Sequence, residues 1–128
     1  MCTIYISLCY LFKYYIIFLL FQDPPVVNVN IVTRNVRRRI LYCHAYGVPE
    51  LYMYSKWEHM SYFGEHIRFL DGLDDGILTL PYMNESDGYQ DNGIYVCTVS
   101  NGIPDVKGII NQTGDSFLNV EGMYYLSN

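Results

Sequence analysis

Residues 26–32 read VVNVNIV, an apolar–polar alternation of period two that predicts a half-buried β-strand. The same rhythm returns along the rest of the chain. Residues 40–45 (ILYCHA) place Leu41, Cys43 and Ala45 on one face, and 51–58 (LYMYSKWE) place Met53, Ser55 and Trp57 in phase. Shorter runs at 66–70 (HIRFL) and 77–80 (ILTL) follow. The clearest strand is 93–100 (GIYVCTVS), with Tyr95, Cys97 and Val99 in phase, and 116–121 (SFLNVE) closes the set with Leu118 and Val120 inward. Turn residues separate these runs: Gly47-Val48-Pro49, Asp71-Gly72 and Asp74-Asp75-Gly76, and Asn101-Gly102 reads as a hairpin turn. Two connections are long, around 48–54 and 81–90. Pro24-Pro25 stops any helix before the first strand, and no amphipathic helix follows. About seven short strands without repeats predict an all-β sandwich over residues 24–121, with a loose tail at 122–128.

The N-terminal stretch has a different pattern. Residues 4–21 (IYISLCYLFKYYIIFLLF) form a bulky apolar stretch that carries one charge, Lys13. As a signal peptide, residues 1–13 form the n-region and 14–21 the apolar core, although the charge comes late and no small residues mark a cleavage point. As an uncleaved anchor the run nearly reaches spanning length, but it carries Lys13 near its middle at about 2.5–3.5 kcal/mol. A misjoined coding sequence is the third reading. Either of the first two exports residues 24–121, which places the domain outside the cell, secreted or at the surface, with membrane attachment if residues 1–23 persist.

Composition narrows the partners. A formal charge of −5 disfavours nucleic acid, which needs a net basic face. The cluster Arg34, Arg37, Arg38 and Arg39 reads as a solvated approach to a strand that guards an edge against mispairing. Fourteen tyrosines against one tryptophan suit a β-rich fold. Cys2 and Cys9 lie in the leader, and Cys43 and Cys97 are each central to a strong strand. In an exported domain that pair reads as one disulfide, with two free buried thiols as the alternative.

Leu41-x-Cys43-x-Ala45-x-Gly47-x-Pro49, then Trp57, then Asp91-x-Gly93-x-Tyr95-x-Cys97 resembles the immunoglobulin superfamily, in particular its I-set or C2-like domains. The phrases around Trp57 and at 64–70 look like domains of invertebrate hemicentin- or nephrin-like adhesion and matrix proteins. The resemblance covers about residues 24–121 and implies a Greek-key β-sandwich in which the disulfide joins the sheets and Trp57 lies against it. It also implies a tyrosine corner at Tyr95, with Asp91 and Gly93 shaping the turn before it and an arginine, Arg68 being the candidate, paired with Asp91. The wide spacing from Cys43 to Trp57 departs from the usual pattern and implies an enlarged loop between them.

Candidate chemistry is sparse. His44, His59 and His66 have no metal-ligand spacing and read as exposed strand or loop positions. Asp71, Asp74 and Asp75 lack a calcium loop. No nucleophile elbow, phosphate loop or acid–base pair is visible, so neither catalysis nor a cofactor is expected. Asn84 and Asn111 begin N-x-[ST] triplets in expected loops and are candidate glycosylation sites. Tyr42, Tyr46, Tyr52, Tyr54, Tyr62 and Tyr82 fall on outward or loop positions. Tyr52 and Tyr54, with the Tyr62-Phe63 loop, are the expected contact surface, because tyrosine offers large area at low entropic cost. The expected function is an extracellular protein-binding module in adhesion or recognition, its partners other extracellular or immunoglobulin-like domains. The alternatives are a spacer in a tandem matrix array and a secreted single-domain immune effector.

Overall fold

The computed structural model describes residues 10, 11, 13, 14, 21–35, 38–81 and 85–120. The assignments at 1–9 and 122–128, and those at Arg37, Tyr82 and Asn84, lie outside the described residues. Tyr10, Leu11, Lys13 and Tyr14 are helical, and among the described residues no helix is long and apolar enough to cross a membrane.

The chain is all-β, with eight strands in two sheets among the described residues. These are β1 (Asp23–Asn35), β2 (Arg38–Val48), β3 (Met53–Tyr54), β4 (Trp57–Met60), β5 (His66–Leu70), β6 (Ile77–Thr79), β7 (Gly93–Ser100) and β8 (Gln112–Leu118). A smaller sheet has the order β1-β2-β6. In the larger sheet β7 is central: β8 lies on one side, and β4 with β3 pairs along it, β5 lying outside β4. All recorded pairings are antiparallel. The chain therefore changes sheet between β2 and β3, between β5 and β6, and between β6 and β7. The Cys43–Cys97 disulfide links β2 to β7 across the core, with Cα atoms 6.2 Å apart.

The inward phase of the main strands follows the alternation of the sequence. Leu41 and Cys43 of β2, Leu78 of β6, Tyr95, Cys97 and Val99 of β7, and Leu118 of β8 are buried in one cluster with Trp57. Apolar area removed from water in this way is the dominant favourable contribution to such a fold, about 25 cal/mol per Å². Two glycines set close approaches. Gly93 opens β7 at φ 136°, where a Cβ would lie 2.2 Å from the Met60 carbonyl oxygen. Gly114 of β8 faces β1, where a Cβ would lie 2.3 Å from the Val27 carbonyl oxygen.

Several elements differ from the sequence expectation. β1 starts at Asp23 rather than 26, and its register shifts across Pro24-Pro25, which sit opposite Gly47. Proline has no N–H to give a ladder, so the pair occupies the irregular step. The expected strand at 51–58 is two strands, broken at the exposed Ser55 and Lys56. The break resets the alternation, and Met53 is 76% exposed although it was expected in phase with buried Trp57. The last strand begins at Gln112, four residues before the expected start, because β7 pairs with it from Gly93 to Val99. Asn101-Gly102 is not a two-residue hairpin turn but the start of a connection running to residue 111. The long connection before β7 carries a 3₁₀ helix, Glu85–Asp91.

The arginine cluster and one histidine are also corrected. Arg39 is not a solvated edge residue: its side chain is fully buried and paired with buried Asp91, and its Nη2 donates to the Pro81 carbonyl at 2.7 Å. The alternation of β2 explains this, since Arg39 shares the inward phase of Leu41 and Cys43. Arg68 also reaches Asp91, Nη2 donating to Oδ1 at 2.7 Å. His59 is buried rather than exposed, in the inward phase of Trp57 on β4. Its Nδ1 accepts from Arg68 Nε at 3.1 Å and its Nε2 faces the Asn92 carbonyl at 2.8 Å, so the neutral tautomer with the proton on Nε2 satisfies both. The ring stacks on Tyr95 at 4.4 Å, and Tyr95 Oη donates to the Asp91 carbonyl at 2.7 Å. Burial, then the Asp91 charge, pushes the Tyr95 hydroxyl up to about 12. Burial lowers the His59 pKa, with the nearby Arg68 charge acting in the same direction.

Candidate binding site

The expected contact surface is not one surface. Tyr52 and Tyr54 are half-buried against the core, and the Tyr52 hydroxyl is engaged by Gly47, accepting from its N at 2.8 Å and donating to its O at 3.1 Å. Tyr54 pairs with Val99 near the end of β7. Tyr62 follows β4, whose Met60 pairs with Ile94 at the start of β7. The five steps from Ile94 to Val99 separate the two groups by about 17 Å along the strand. Tyr62 remains 45% exposed and Phe63 93% exposed.

A different surface is built by the larger sheet. On β7 the inward phase belongs to Gly93, Tyr95, Cys97 and Val99, which turns Ile94, Val96, Thr98 and Ser100 outward. Register then aligns outward positions across the strands. His66 of β5, Met60 of β4, Ile94 of β7 and Phe117 of β8 form one cross-strand row. Phe69, Glu58, Val96 and Asp115 form the next. Tyr62 closes the first row, its ring 5.1 Å from Phe117 in an edge-on arrangement, and its hydroxyl donates to the Leu118 carbonyl at 3.1 Å. The His66 ring lies 4.5 Å from Phe69, so the rows touch at the β5 edge.

The outer face of an antiparallel sheet is ordinarily polar. Here Phe69 and Phe117 are 58% and 59% exposed on the two edge strands of this face, β5 and β8. Glu58 approaches His66 at 3.6 Å, and the exposed Lys56 approaches Asp71 at the same distance. Beside the rows runs a shallow open groove lined by Ser55, Lys56, Thr98 and Thr113, with Phe69 and Val96 on its apolar side. Aromatic rings held by their neighbours, beside hydroxyls and charged side chains, are suited to protein contact.

The sequence reading missed Met60, Ile94, Phe69 and Phe117. A signal was present: GIYVCTVS is apolar at both phases of its alternation, which a strand with one solvated face does not require. The three histidines are far apart in role. His44 is exposed on the smaller sheet, His59 is buried, and His66 lies on the outer face of the larger sheet, and no group of three metal-ligating side chains converges among the described residues. Asn111 is exposed just before β8, but Gln112 and Thr113 of its triplet are not in a loop: they are the first two residues of that strand, paired with Val99 and Thr98. The chain matches no protein-family model, no curated protein and no solved structure.

Proposed function

We propose that this chain is an extracellular, immunoglobulin-like protein-binding module of adhesion or recognition, and that it meets its partner through the outer face of the larger sheet. The observation that carries the reading is the row His66, Met60, Ile94 and Phe117 closed by Tyr62, an aromatic–aliphatic stripe on a face that water would otherwise keep polar. Support for the immunoglobulin-like arrangement comes from the sheet orders, the disulfide joining the sheets, the buried Trp57 in the same cluster, and the Tyr95 hydroxyl turned back onto Asp91. The disulfide also fits an oxidising compartment. A spacer module has no need of an apolar stripe running across a sheet face.

The test is a binding measurement with purified, fluorescently tetramerised chain on cells and extracellular proteins of its source. Phe117→Ser and Phe69→Ser are expected to weaken binding by roughly 30-fold or more, the scale of a central anchor worth about 2 kcal/mol. Val32→Ser, on the smaller sheet, serves as the control and is expected to leave binding unchanged. Undiminished binding by both phenylalanine variants, with their melting curves intact, overturns the assignment of this face.

A further inference from the structure

The end of the sandwich where β1 begins has its own apolar surface. Asp23 pairs with Val48, Met53 with Ser100, and Gln112 with Val99, which gathers the start of β1 and the connections 49–52 and 101–111 at one end. Buried Asn101 ties them together, its Nδ2 donating to the Asp23 carbonyl at 2.8 Å and to the Pro49 carbonyl at 3.2 Å. At this end Leu51 is 77% exposed and Val106 fully exposed, and Met53, Ile109 and Ile110 are exposed with them.

The connection that carries Val106 is a built loop. Asp105 Oδ1 accepts from the backbone N of Lys107 and of Ile109, each at 2.9 Å. Asp105 N donates to the Ile109 carbonyl, and Gly108, at φ 82°, donates its N to the Asp105 carbonyl. Gln112 Nε2 donates to the Ile109 carbonyl at 2.8 Å. Its polar backbone is thus largely satisfied internally, and it can present aliphatic side chains without further ordering.

What this surface meets is indicated by the chain that arrives there. Residues 4–21 are apolar except for Ser7 and Lys13, Phe21 is 66% exposed, and only Gln22 separates Phe21 from the start of β1. At about 3.4 Å per residue, a lipid bilayer that takes up residues 4–21 lies within about 10 Å of this end of the domain. We propose that this end docks on that bilayer, with Val106, Ile109, Ile110, Leu51 and Met53 entering the lipid interface beside the apolar segment. The inference rests on residues 4–21 remaining attached and does not depend on the partner-binding face. It adds an orientation: the row containing Ile94 and Phe117 lies about 20 Å farther along β7, at the end away from the membrane, and stays open to a partner approaching from the side.

The experiment uses the full chain in phosphatidylcholine–phosphatidylserine vesicles with and without brominated acyl chains. Val106→Trp places a reporter at the proposed lipid contact and Phe63→Trp one at the opposite end. Trp57, buried in every variant, is subtracted using the unsubstituted chain. The expected result is that the Val106→Trp reporter is blue-shifted, shielded from iodide and quenched several-fold more by brominated lipid than the Phe63→Trp reporter. Equal exposure of both reporters to iodide overturns the docking. A blue-shifted Val106→Trp reporter that brominated lipid does not quench also overturns it, and assigns the surface to protein, either a second copy or the chain's own apolar segment. A chain that fails to float with the vesicles removes the attachment on which the docking rests and overturns it too, while leaving the sheet-face reading to its own binding measurement.

Discussion

Replacing Asp91 by alanine removes the carboxylate that faces two guanidinium groups, Arg39 Nη1 on Oδ2 and Arg68 Nη2 on Oδ1. Both Asp91 and Arg39 have side chains with no solvent exposure, whereas Arg68 retains 34%. Arg68 can turn toward water after the loss, but Arg39 is held inside with its charge uncompensated. Breaking a buried pair by deleting one partner costs about 3–5 kcal/mol, most of it the isolated charge left behind. For a domain of this size each kcal/mol shifts Tm by about 4–8 °C, so Asp91→Ala should lower Tm by at least about 12 °C. The reasoning makes a sharper claim about Arg39→Met. That variant removes the buried charge and leaves Asp91 paired with Arg68, so it should cost less than Asp91→Ala. The double variant Asp91→Ala/Arg39→Met should be more stable than Asp91→Ala alone, because no guanidinium is then stranded in the core. The assay is thermal and urea unfolding followed by circular dichroism, with the disulfide intact. An Asp91→Ala cost below about 1 kcal/mol, or a double variant no better than Asp91→Ala, would refute the account of Arg39 as a charge held by Asp91.

Reduction of the disulfide, or Cys43→Ala/Cys97→Ala, opens a loop spanning 54 residues and should destabilise by about 4 kcal/mol on the chain-entropy account, seen as a lower urea midpoint. Gly93→Ala sets a Cβ against the Met60 carbonyl, so its Tm should fall well below that of Gly102→Ala, which also puts alanine at a positive φ but whose Cβ meets nothing within 4 Å. His59 has a lowered pKa in the folded state, so the unfolded chain takes up its proton first as pH falls. Its contribution is therefore complete above about pH 6.5 and declines below it toward the folded value, as protonation also removes the Nδ1 acceptor used by Arg68. Melting curves from pH 7.5 to 5 should fall for the wild type and fall less steeply for His59→Gln.

The sequence by itself determined the class of fold and the composition of its core. A period-two pattern states which residues share a face, and that was enough to put Leu41, Cys43, Tyr95, Cys97, Val99, Leu118 and Val120 inside. It also named Arg68 as a partner of Asp91, through resemblance. What it left open depends on register between segments far apart in the chain. Arg39 lies 52 residues from Asp91, and its basic neighbours suggested solvent until the inward phase of β2 brought it to the carboxylate. The row proposed to bind a partner is of the same kind. Met60, Ile94 and Phe117 are unremarkable singly, and only the pairing of β4, β7 and β8 lines them up on one exposed face. Tyr52 and Tyr54 share no surface with Tyr62 and Phe63 because β3 and β4 follow one edge of β7 in turn, Tyr54 meeting Val99 near its end and Met60 meeting Ile94 near its start. Local alternation decides which way a side chain points. Only the pairing of strands decides what it meets, since a shift of one residue in register would turn every outward side chain inward.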